Sequence, residues 1–313
     1  MESILTLTMN PAIDTSTIVD NVVPERKLRC TPPVREPGGG GINVSRAIQT
    51  LGGTSVALYP AGGPPGQILC NLLDEEKLDH RAIEIGGWTR ENLTVYEEAT
   101  EQQFRFGMPG PTLSEAEWNR CLDALSGFEP LPAYIVASGS LPPGVPRDFY
   151  ARVAAIARDR DARVIVDASG EALALAVREG VFLIKPNLRE FADLAERDVQ
   201  SEEEQEHVAK ELVSRGQSEV VVVSLGAAGA LLVSKDGIER LRAPTVPIES
   251  KVGAGDSMVS GIVLGLAQGE PLREAVDFGV AAGAAAVMTP GTELCRREDT
   301  EKLYERMRLE ART

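Results

Sequence analysis

Short apolar runs alternate with segments of helical spacing along most of the chain. From residue 114 onward, each apolar run is followed by a segment with helical spacing. Such runs are typical of strands buried on both faces of a parallel sheet. The pattern therefore predicts an α/β fold in which helices cover both faces of that sheet. The principal predicted strands are 4–8, 55–59, 134–137, 164–167, 182–185 and 220–224.

Two segments depart from this pattern and have strand spacing. Leu93 and Val95 alternate with polar residues, and so do the apolar residues of 104–108, which predicts an antiparallel pair. Residues 15–19 also have strand composition, and the prolines after them exclude a helix before the glycine run at 38–41. We expect these excursions, at about 15–36 and 88–108, to form a small sheet whose apolar face packs on a partner chain.

Four consecutive glycines, Gly38–Gly41, lead into an amphipathic helix. Such a run costs backbone entropy, so it is typical of a place where a ligand lies against the backbone. Asn43 adds an amide that can both donate to and accept from hydroxyl groups. The stretch matches a dinucleotide-binding fingerprint poorly, because the glycine spacing differs and no strand directly precedes it. A dinucleotide oxidoreductase is therefore disfavoured.

A second glycine turn, Gly253-Ala254-Gly255, delivers the carboxylate of Asp256 to the start of an apolar helix. The free N–H groups at a helix start and the helix dipole attract an anion. A carboxylate at the rim of such an anion hole suits phosphoryl transfer, with Asp256 accepting the proton of the attacking hydroxyl. The alternative is a plain helix cap, in which Asp256 or Ser257 accepts backbone N–H bonds.

Polar residues and glycines that follow the predicted strands form the remaining candidates. In α/β sheets, ligands bind outside the carboxyl ends of the strands, so we expect these residues at one edge. Asn187 and Glu190 carry oxygens suited to Mg²⁺, although Asn187 could equally cap the helix that contains Glu190. Asp14 follows the first strand in a loop, where it is either a sugar ligand or an ordinary loop acid. The set comprises Asp14, Ser138, Asn187, Glu190, Ser224, Gly226 and Gly229.

The charge balance restricts the partners. A net charge of −15 argues against nucleic acid or an anionic membrane surface. In so acidic a chain, clustered cations are informative. A cluster lies just before the glycine run, at Arg26, Lys27 and Arg29, and the second excursion adds Arg90. These cations form either a solvated face or a phosphate site. The four cysteines are far apart and no apolar run is long enough to span a membrane, so we expect a cytoplasmic protein.

The two glycine stretches together resemble the paired signatures of the ribokinase-type sugar kinases, the phosphofructokinase B family. The resemblance extends over essentially the whole chain, and residues 27–31, 36–44, 139–144 and 170–173 strengthen it. It implies one ribokinase-like domain over residues 1–313, built as a three-layer α/β/α sandwich. It also implies that the two excursions form a β-sheet lid that doubles as the interface of a homodimer. Neither a P-loop nor a protein-kinase motif occurs in the sequence.

The resemblance also implies transfer of the γ-phosphoryl group of ATP, with Mg²⁺, to a sugar hydroxyl. Asp256 would be the general base, beside the anion hole of Gly253, Ala254 and Gly255. The sugar would be bound by Asp14, Gly38, Gly39, Asn43 and Ser138. The sugar's own phosphate would be bound by Lys27, Arg29 and Arg90. The nucleotide would face Lys185, Asn187, Ser224, Gly226 and Gly229, and Glu190 would act on Mg²⁺ through water.

The resemblance further implies that the acceptor is the 1-hydroxyl of fructose 6-phosphate, since a free-sugar kinase would not need a site for the sugar's own phosphate. Tagatose 6-phosphate and fructose 1-phosphate are the alternative substrates within the class. A non-catalytic sugar-phosphate sensor is the alternative from another class, and retention of Asp256 with its glycine turn argues against it.

Lys251 departs from the family pattern, in which threonine or another small residue often precedes the glycine turn. Many members bind a monovalent cation such as K⁺ through backbone oxygens near this loop, here at Ser250 and Val252. One hypothesis is that the Lys251 ammonium weakens or replaces that cation. The alternative is an outward-facing lysine that leaves the cation site intact. The sequence leaves open whether lid residues act in their own site or the partner's, and whether ATP inhibits at a second site.

Overall fold

The computed structural model describes residues 1–310, whose thirteen strands form two sheets. The strands are β1 (Ile4–Leu7), β2 (Ala12–Val19), β3 (Val34–Gly38), β4 (Val56–Ala61), β5 (His80–Glu84), β6 (Arg90–Glu97), β7 (Gln102–Phe106), β8 (Tyr134–Ser138), β9 (Arg163–Asp167), β10 (Val181–Ile184), β11 (Ser218–Ser224), β12 (Ala230–Ser234) and β13 (Gly237–Leu241). The helices are α1 (Gly40–Thr50), α2 (Gly63–Glu75), α3 (Glu115–Ser126), α4 (Phe149–Arg158), α5 (Gly170–Glu179), α6 (Leu188–Ala195), α7 (Glu202–Ser214), α8 (Ala254–Ala267), α9 (Leu272–Ala286) and α10 (Arg297–Glu310).

The larger sheet has nine strands in the order β13-β12-β11-β10-β9-β8-β1-β4-β5. Its strands are parallel from β11 to β5, and β12 and β13 are added antiparallel as a hairpin. The carboxyl ends of seven strands therefore meet at one edge of the sheet. This arrangement confirms the parallel sheet predicted from the apolar runs.

Helices cover both faces of this sheet. Alternate residues of β8 point to opposite sides: Ile135 packs with α3 to α7, and Val136 packs with α1 and α8 to α10. Tyr59 of β4 adds a third cluster with α1 and α2. Because both sides of each central strand are buried, continuous apolar runs are the sequence pattern that this architecture requires. The result is the predicted three-layer α/β/α sandwich.

The smaller sheet consists of β3, β2, β6 and β7 in that order, and it is called the lid here. The predicted antiparallel pair is present, with Leu93 opposite Phe106 and Val95 opposite Phe104. Because paired residues share a face, these four side chains form the apolar face that the alternation predicted.

The predicted lid boundaries were wrong at the first excursion. Strand β2 begins at Ala12, so Asp14 lies within a strand and not in a loop beyond β1. Pro11 is compatible with this because it precedes the strand and needs no ladder hydrogen bond. Pro37 lies in β3 near the strand end. In the described part of the chain, no helix has the length and hydropathy needed to cross a bilayer.

Candidate functional site

Helix α8 presents its N-terminus at the carboxyl edge of the large sheet. Gly253 precedes the helix with φ +74°, a left-handed conformation that favours glycine and lets the chain turn sharply into the helix. The N–H groups of Ala254, Gly255 and Asp256 lie in the first turn, where a helix has no internal acceptor for them. Within residues 1–310 no side chain caps this helix, which contradicts the plain-cap interpretation. The first turn of α8 is therefore open, and it is called the anion hole here after its predicted role.

Asp256 is held by a residue from the glycine run. Asn43, in the first turns of α1, donates from Nδ2 to Asp256 Oδ2 at 2.9 Å. Burial and, to a lesser extent, the nearby Asp167 carboxylate raise the pKa of Asp256 to about 7. The Asn43 hydrogen bond and the Lys185 ammonium oppose this shift because they favour the charged form. A carboxyl group with a pKa near neutrality suits a general base.

Lys185 lies beneath the anion hole. Its ammonium is 3.2 Å from Asp167 Oδ1, and a methyl group added at Gly255 would lie 3.6 Å from Lys185 Nζ. Burial alone would lower the pKa of Lys185, but the carboxylates of Asp167, Glu190 and Asp256 outweigh it and the pKa is raised. The ammonium is thus held charged beside the predicted phosphate path.

Asp167 is a site residue that the sequence reasoning missed. It is the last residue of β9, directly opposite Ser138 at the end of β8. The signal was available, since an acid at the carboxyl end of a predicted parallel strand meets the criterion that was applied to Asp14.

The glycine run packs against two of the predicted sugar ligands. A methyl group added at Gly38 would overlap Asp14 Oδ2, and one added at Gly40 would overlap Ser138 Oγ. Gly39 between them has φ +113°, which favours glycine. The absence of side chains therefore lets the backbone lie against Asp14 and Ser138, and it brings the predicted sugar ligands together.

The lid contributes a polar face to the same place. Asn92 of β6 lies opposite Asp14 and donates from Nδ2 to Asp14 Oδ1 at 2.7 Å. Arg105 of β7 lies opposite Thr94, two residues along from Asn92, so its side chain belongs to the same face. A cavity of about 290 Å³ is lined by Asp14, Asn92 and Arg105 together with Thr292. The sequence reasoning missed Asn92 and Arg105.

The three cations assigned to the sugar phosphate differ in position. Arg90 is half-buried and donates to the backbone carbonyls of Asn10, at 2.8 Å, and Met108, at 3.1 Å. Burial lowers the pKa of Arg90, and Asp14 opposes that shift. Lys27 and Arg29 are exposed on the segment between β2 and β3. Neither lines the cavity beside Asp14, so the single chain does not bring these two residues to the site.

Asn187 and Glu190 form a capping box at the start of α6. Asn187 Oδ1 accepts from the Glu190 N–H at 3.0 Å, and Glu190 Oε2 accepts from the Asn187 N–H at 2.9 Å. The capping alternative for Asn187 is therefore correct, and the cap does not use the side-chain amide donor of Asn187 or Oε1 of Glu190. Asn187 also pairs with Ser224 at the end of β11, which places the predicted nucleotide residues side by side.

Glycine occupies the two positions after β11, 226 and 229, for different structural reasons. Gly226 begins a short 3₁₀ turn and has open space where a side chain would lie, as a nucleotide-binding surface requires. At Gly229 a side chain would overlap the carbonyl oxygen of Leu241. Packing within the chain is therefore sufficient to explain Gly229.

The predicted cation loop is tied to the segment after α9. Ser250 is buried and donates from Oγ to the Gly291 carbonyl at 2.7 Å, while it accepts from the Val252 N–H at 3.2 Å. Lys251 between them is exposed and forms no ion pair with any residue of 1–310. This orientation favours the outward-facing alternative for Lys251.

Comparison with known proteins agrees with this geometry. The family described as "pfkB family carbohydrate kinase" matches residues 5–299. The chain is 48% identical over 302 residues to an ATP-dependent 6-phosphofructokinase isozyme 2 of Mycobacterium tuberculosis, covering 96% of this chain and 89% of the relative. It is 45% identical to the Escherichia coli protein of the same name, covering 97% and 98%. Identity to a 1-phosphofructokinase of Bacillus subtilis is 34%, covering 93% and 95%.

Solved structures give the same result. The chain resembles Escherichia coli phosphofructokinase-2 in complex with potassium, with a TM-score of 0.94 and 44% identity over 98% of this chain and 100% of that one. The complex of that enzyme with fructose 6-phosphate matches with a TM-score of 0.91 and 43% identity, at the same coverage. The chain therefore belongs to the pfkB family of carbohydrate kinases.

Proposed function

We propose that this kinase transfers the γ-phosphoryl group of ATP to the 1-hydroxyl of fructose 6-phosphate. The observation that carries the proposal is the pairing of two features at one edge of the sheet. One is Asp256, a carboxyl group with a pKa of about 7 at the rim of an open helix N-terminus. The other is the cavity that joins Asp14 to the lid cation Arg105. The names of the two most similar relatives reported above support the same substrate.

Asp256 acts as the general base. Its carboxylate accepts the proton of the sugar hydroxyl as that oxygen attacks the γ-phosphorus. Asn43 orients the carboxylate through the 2.9 Å hydrogen bond. The N–H groups at the start of α8 and the Lys185 ammonium stabilise the negative charge on the transferred group, and they are in place before the reaction begins.

The donor set suits Mg²⁺ that is bound mainly by phosphates and water. Among residues 1–310, no cluster of three or more His, Cys, Asp or Glu side chains is arranged to hold a metal ion. Mg²⁺ in kinases commonly keeps several waters and takes few protein ligands, so a single acid such as Glu190 acting through water is sufficient. When bound, Mg²⁺ would neutralise phosphate charge. Ser250 and Val252 would supply backbone oxygens to K⁺, and Lys251 between them is exposed.

The sugar and its 6-phosphate would divide between the sheet edge and the lid. Gly39 and Ser138 bind hydroxyl groups at the sheet edge, and Asp14 of β2 binds them from the lid. Arg105 supplies the cation that lines the cavity. Arg90, held by the backbone carbonyls of Asn10 and Met108, lies near Asp14 and adds positive potential.

We further propose that residues 1–313 form one kinase domain and that two copies associate through their lids. The apolar face formed by Leu93, Val95, Phe104 and Phe106 is half-buried or exposed in the single chain. Covering it would remove this surface from water. Lys27 and Arg29, which do not reach the cavity of their own chain, would then lie on the lid that faces the partner.

A substitution on the lid tests the substrate assignment. We expect Arg105→Ala to raise the KM for fructose 6-phosphate about tenfold or more, with a smaller change in kcat, because the cation contributes to binding in both ground and transition states. Arg178→Ala is the matched control, since Arg178 is exposed in the last turn of α5, outside both the lid and the cavity. Steady-state kinetics measure both. An unchanged KM in Arg105→Ala would remove Arg105 from the substrate site.

A further inference from the structure

A chain of hydrogen bonds connects the lid to the anion hole through Thr292, which lines the cavity beside Asp14, and through Ser250 and Val252. It begins at Glu36 in β3, which lies directly opposite Asp14 of β2. Glu36 Oε1 accepts from Arg46 Nη2 of α1 at 3.2 Å. Arg46 also donates to the Pro37 carbonyl at 3.1 Å and is 14% exposed. The Glu36 carboxylate is therefore fixed by α1, immediately before the glycine run.

The second oxygen of Glu36 reaches across to another part of the fold. Thr292 donates its hydroxyl hydrogen bond to Glu36 Oε2. Thr292 belongs to the segment between α9 and α10, residues 287–296, which is called the 287–296 loop here. This contact joins residues that are 256 positions apart in sequence.

The 287–296 loop is in turn attached to the anion hole at several points. Ser250 Oγ donates to Gly291 and accepts from the Val252 N–H, one residue before Gly253. The Cys295 N–H donates to Ser257 Oγ at 3.3 Å, in the first turns of α8. The side chain of Leu294 packs against Gly253, where an added methyl group would lie 2.7 Å from it. The position of this loop therefore sets the position of the turn that carries Asp256.

We propose that Glu36 and Thr292 are positioning residues that couple the lid to the anion hole. Ligand contact at Asp14 fixes β2 and, through the strand pairing, β3. The hydrogen bond from Thr292 to Glu36 then restrains the 287–296 loop, and the contacts of that loop restrain the turn at Gly253. The inference rests on the proposed function, because it takes a sugar phosphate as the ligand that orders the lid. Coupling of this kind requires a direct measurement, since spatial continuity alone does not establish it.

Hydrogen exchange measures the coupling without catalysis. Fructose 6-phosphate is added in the absence of nucleotide, and amide protection is compared in the lid strands and in the 287–296 loop. We expect both segments to gain protection in the parent protein and in Thr292→Ser, which keeps the hydroxyl. In Thr292→Val we expect the lid to gain protection and the loop to lose most of its gain. Thr17→Val is the matched control, because it removes a hydroxyl that donates to the Thr31 carbonyl within the lid region.

The outcomes separate the two proposals. If fructose 6-phosphate protects neither segment of the parent protein, the proposed function fails and the coupling fails with it. If the lid is protected and the 287–296 loop is not, the function stands and the coupling is wrong. Equal protection of the loop in Thr292→Val and the parent protein also overturns the coupling.

A double-mutant cycle gives the kinetic test. We expect Thr292→Val to lower kcat about tenfold in the parent background and less than about twofold in a Glu36→Ala background, because the hydrogen bond is already lost there. Thr292→Ser should retain kcat within about twofold of the parent protein. Equal losses in the two backgrounds would show that Thr292 acts independently of Glu36 and would contradict the proposal.

Discussion

Asp256 gives the sharpest prediction at the scale of the single residue. If it is the general base, Asp256→Asn lowers kcat by roughly 10²–10⁴ and leaves fructose 6-phosphate binding largely intact. Asparagine keeps the size of the side chain and its contact with Asn43 but cannot accept the proton. Single-turnover kinetics and equilibrium binding of the sugar phosphate measure the two quantities. A loss of less than tenfold in kcat would show that Asp256 is not the base.

The pH profile of the parent protein checks the same residue. The pKa of Asp256 is raised to about 7, so the carboxylate needed by a base is lost as the pH falls through that value. We therefore expect kcat/KM to decline on the acid side of about pH 7. Asp256→Asn should lack this limb, and its persistence in the variant would assign the titration to another group.

The site residues that the sequence predicted differ from those it missed. The first group is recognisable from local sequence, and the second depends on strand register and on contacts with distant segments. Asp256, Asn43 and the glycine runs were recognisable because each lies in a short glycine-rich stretch followed directly by a helix. Asn92, Arg105 and Glu36 acquire their roles from the register of the lid strands and from contacts with distant segments. Neither register nor tertiary contact is encoded in spacing along the chain, so single-sequence reasoning could not select them.

The lid shows what sequence can predict at the scale of the element. Alternation in 93–96 and 103–108 gave the strand pair and its apolar face correctly. The start of β2 was placed three residues late, because Pro11 and Asp14 favour a loop by composition while pairing with β3 and β6 determines the strand. Only the structure shows that Asn187 and Glu190 form a capping box, since in the sequence the same two residues fit both a helix cap and a metal site.

The apolar face of the lid predicts an association between copies of the chain. We expect Phe104→Asp to shift the protein from dimer to monomer, because a charge on this face must be desolvated when the face is covered. Ile248→Asp is the matched control, since Ile248 is 60% exposed and lies outside the lid. Sedimentation velocity distinguishes the species. Identical sedimentation of parent and Phe104→Asp would place the interface elsewhere.

At the scale of the whole molecule, the fold and the family follow from patterns that extend along the chain. Apolar runs of strand length require a buried parallel sheet, and that sheet brings the carboxyl ends of its strands to one edge. Residues that meet at this edge come from distant parts of the sequence, as Asn43 and Asp256 do, which are 213 positions apart. The choice of sugar is not encoded at this scale, because in the proposed function it depends on a few side chains of the lid.

Release of ADP from Mg²⁺ and ATP across a panel of sugars tests the central claim most directly. The panel contains fructose 6-phosphate, tagatose 6-phosphate, fructose 1-phosphate, fructose and ribose, compared by kcat/KM. We predict that fructose 6-phosphate leads, and that it exceeds fructose and ribose by about tenfold or more because the cavity beside Asp14 offers a cation to its phosphate. A lead for a free sugar would contradict the phosphate site, and a lead for fructose 1-phosphate would contradict the assigned acceptor hydroxyl.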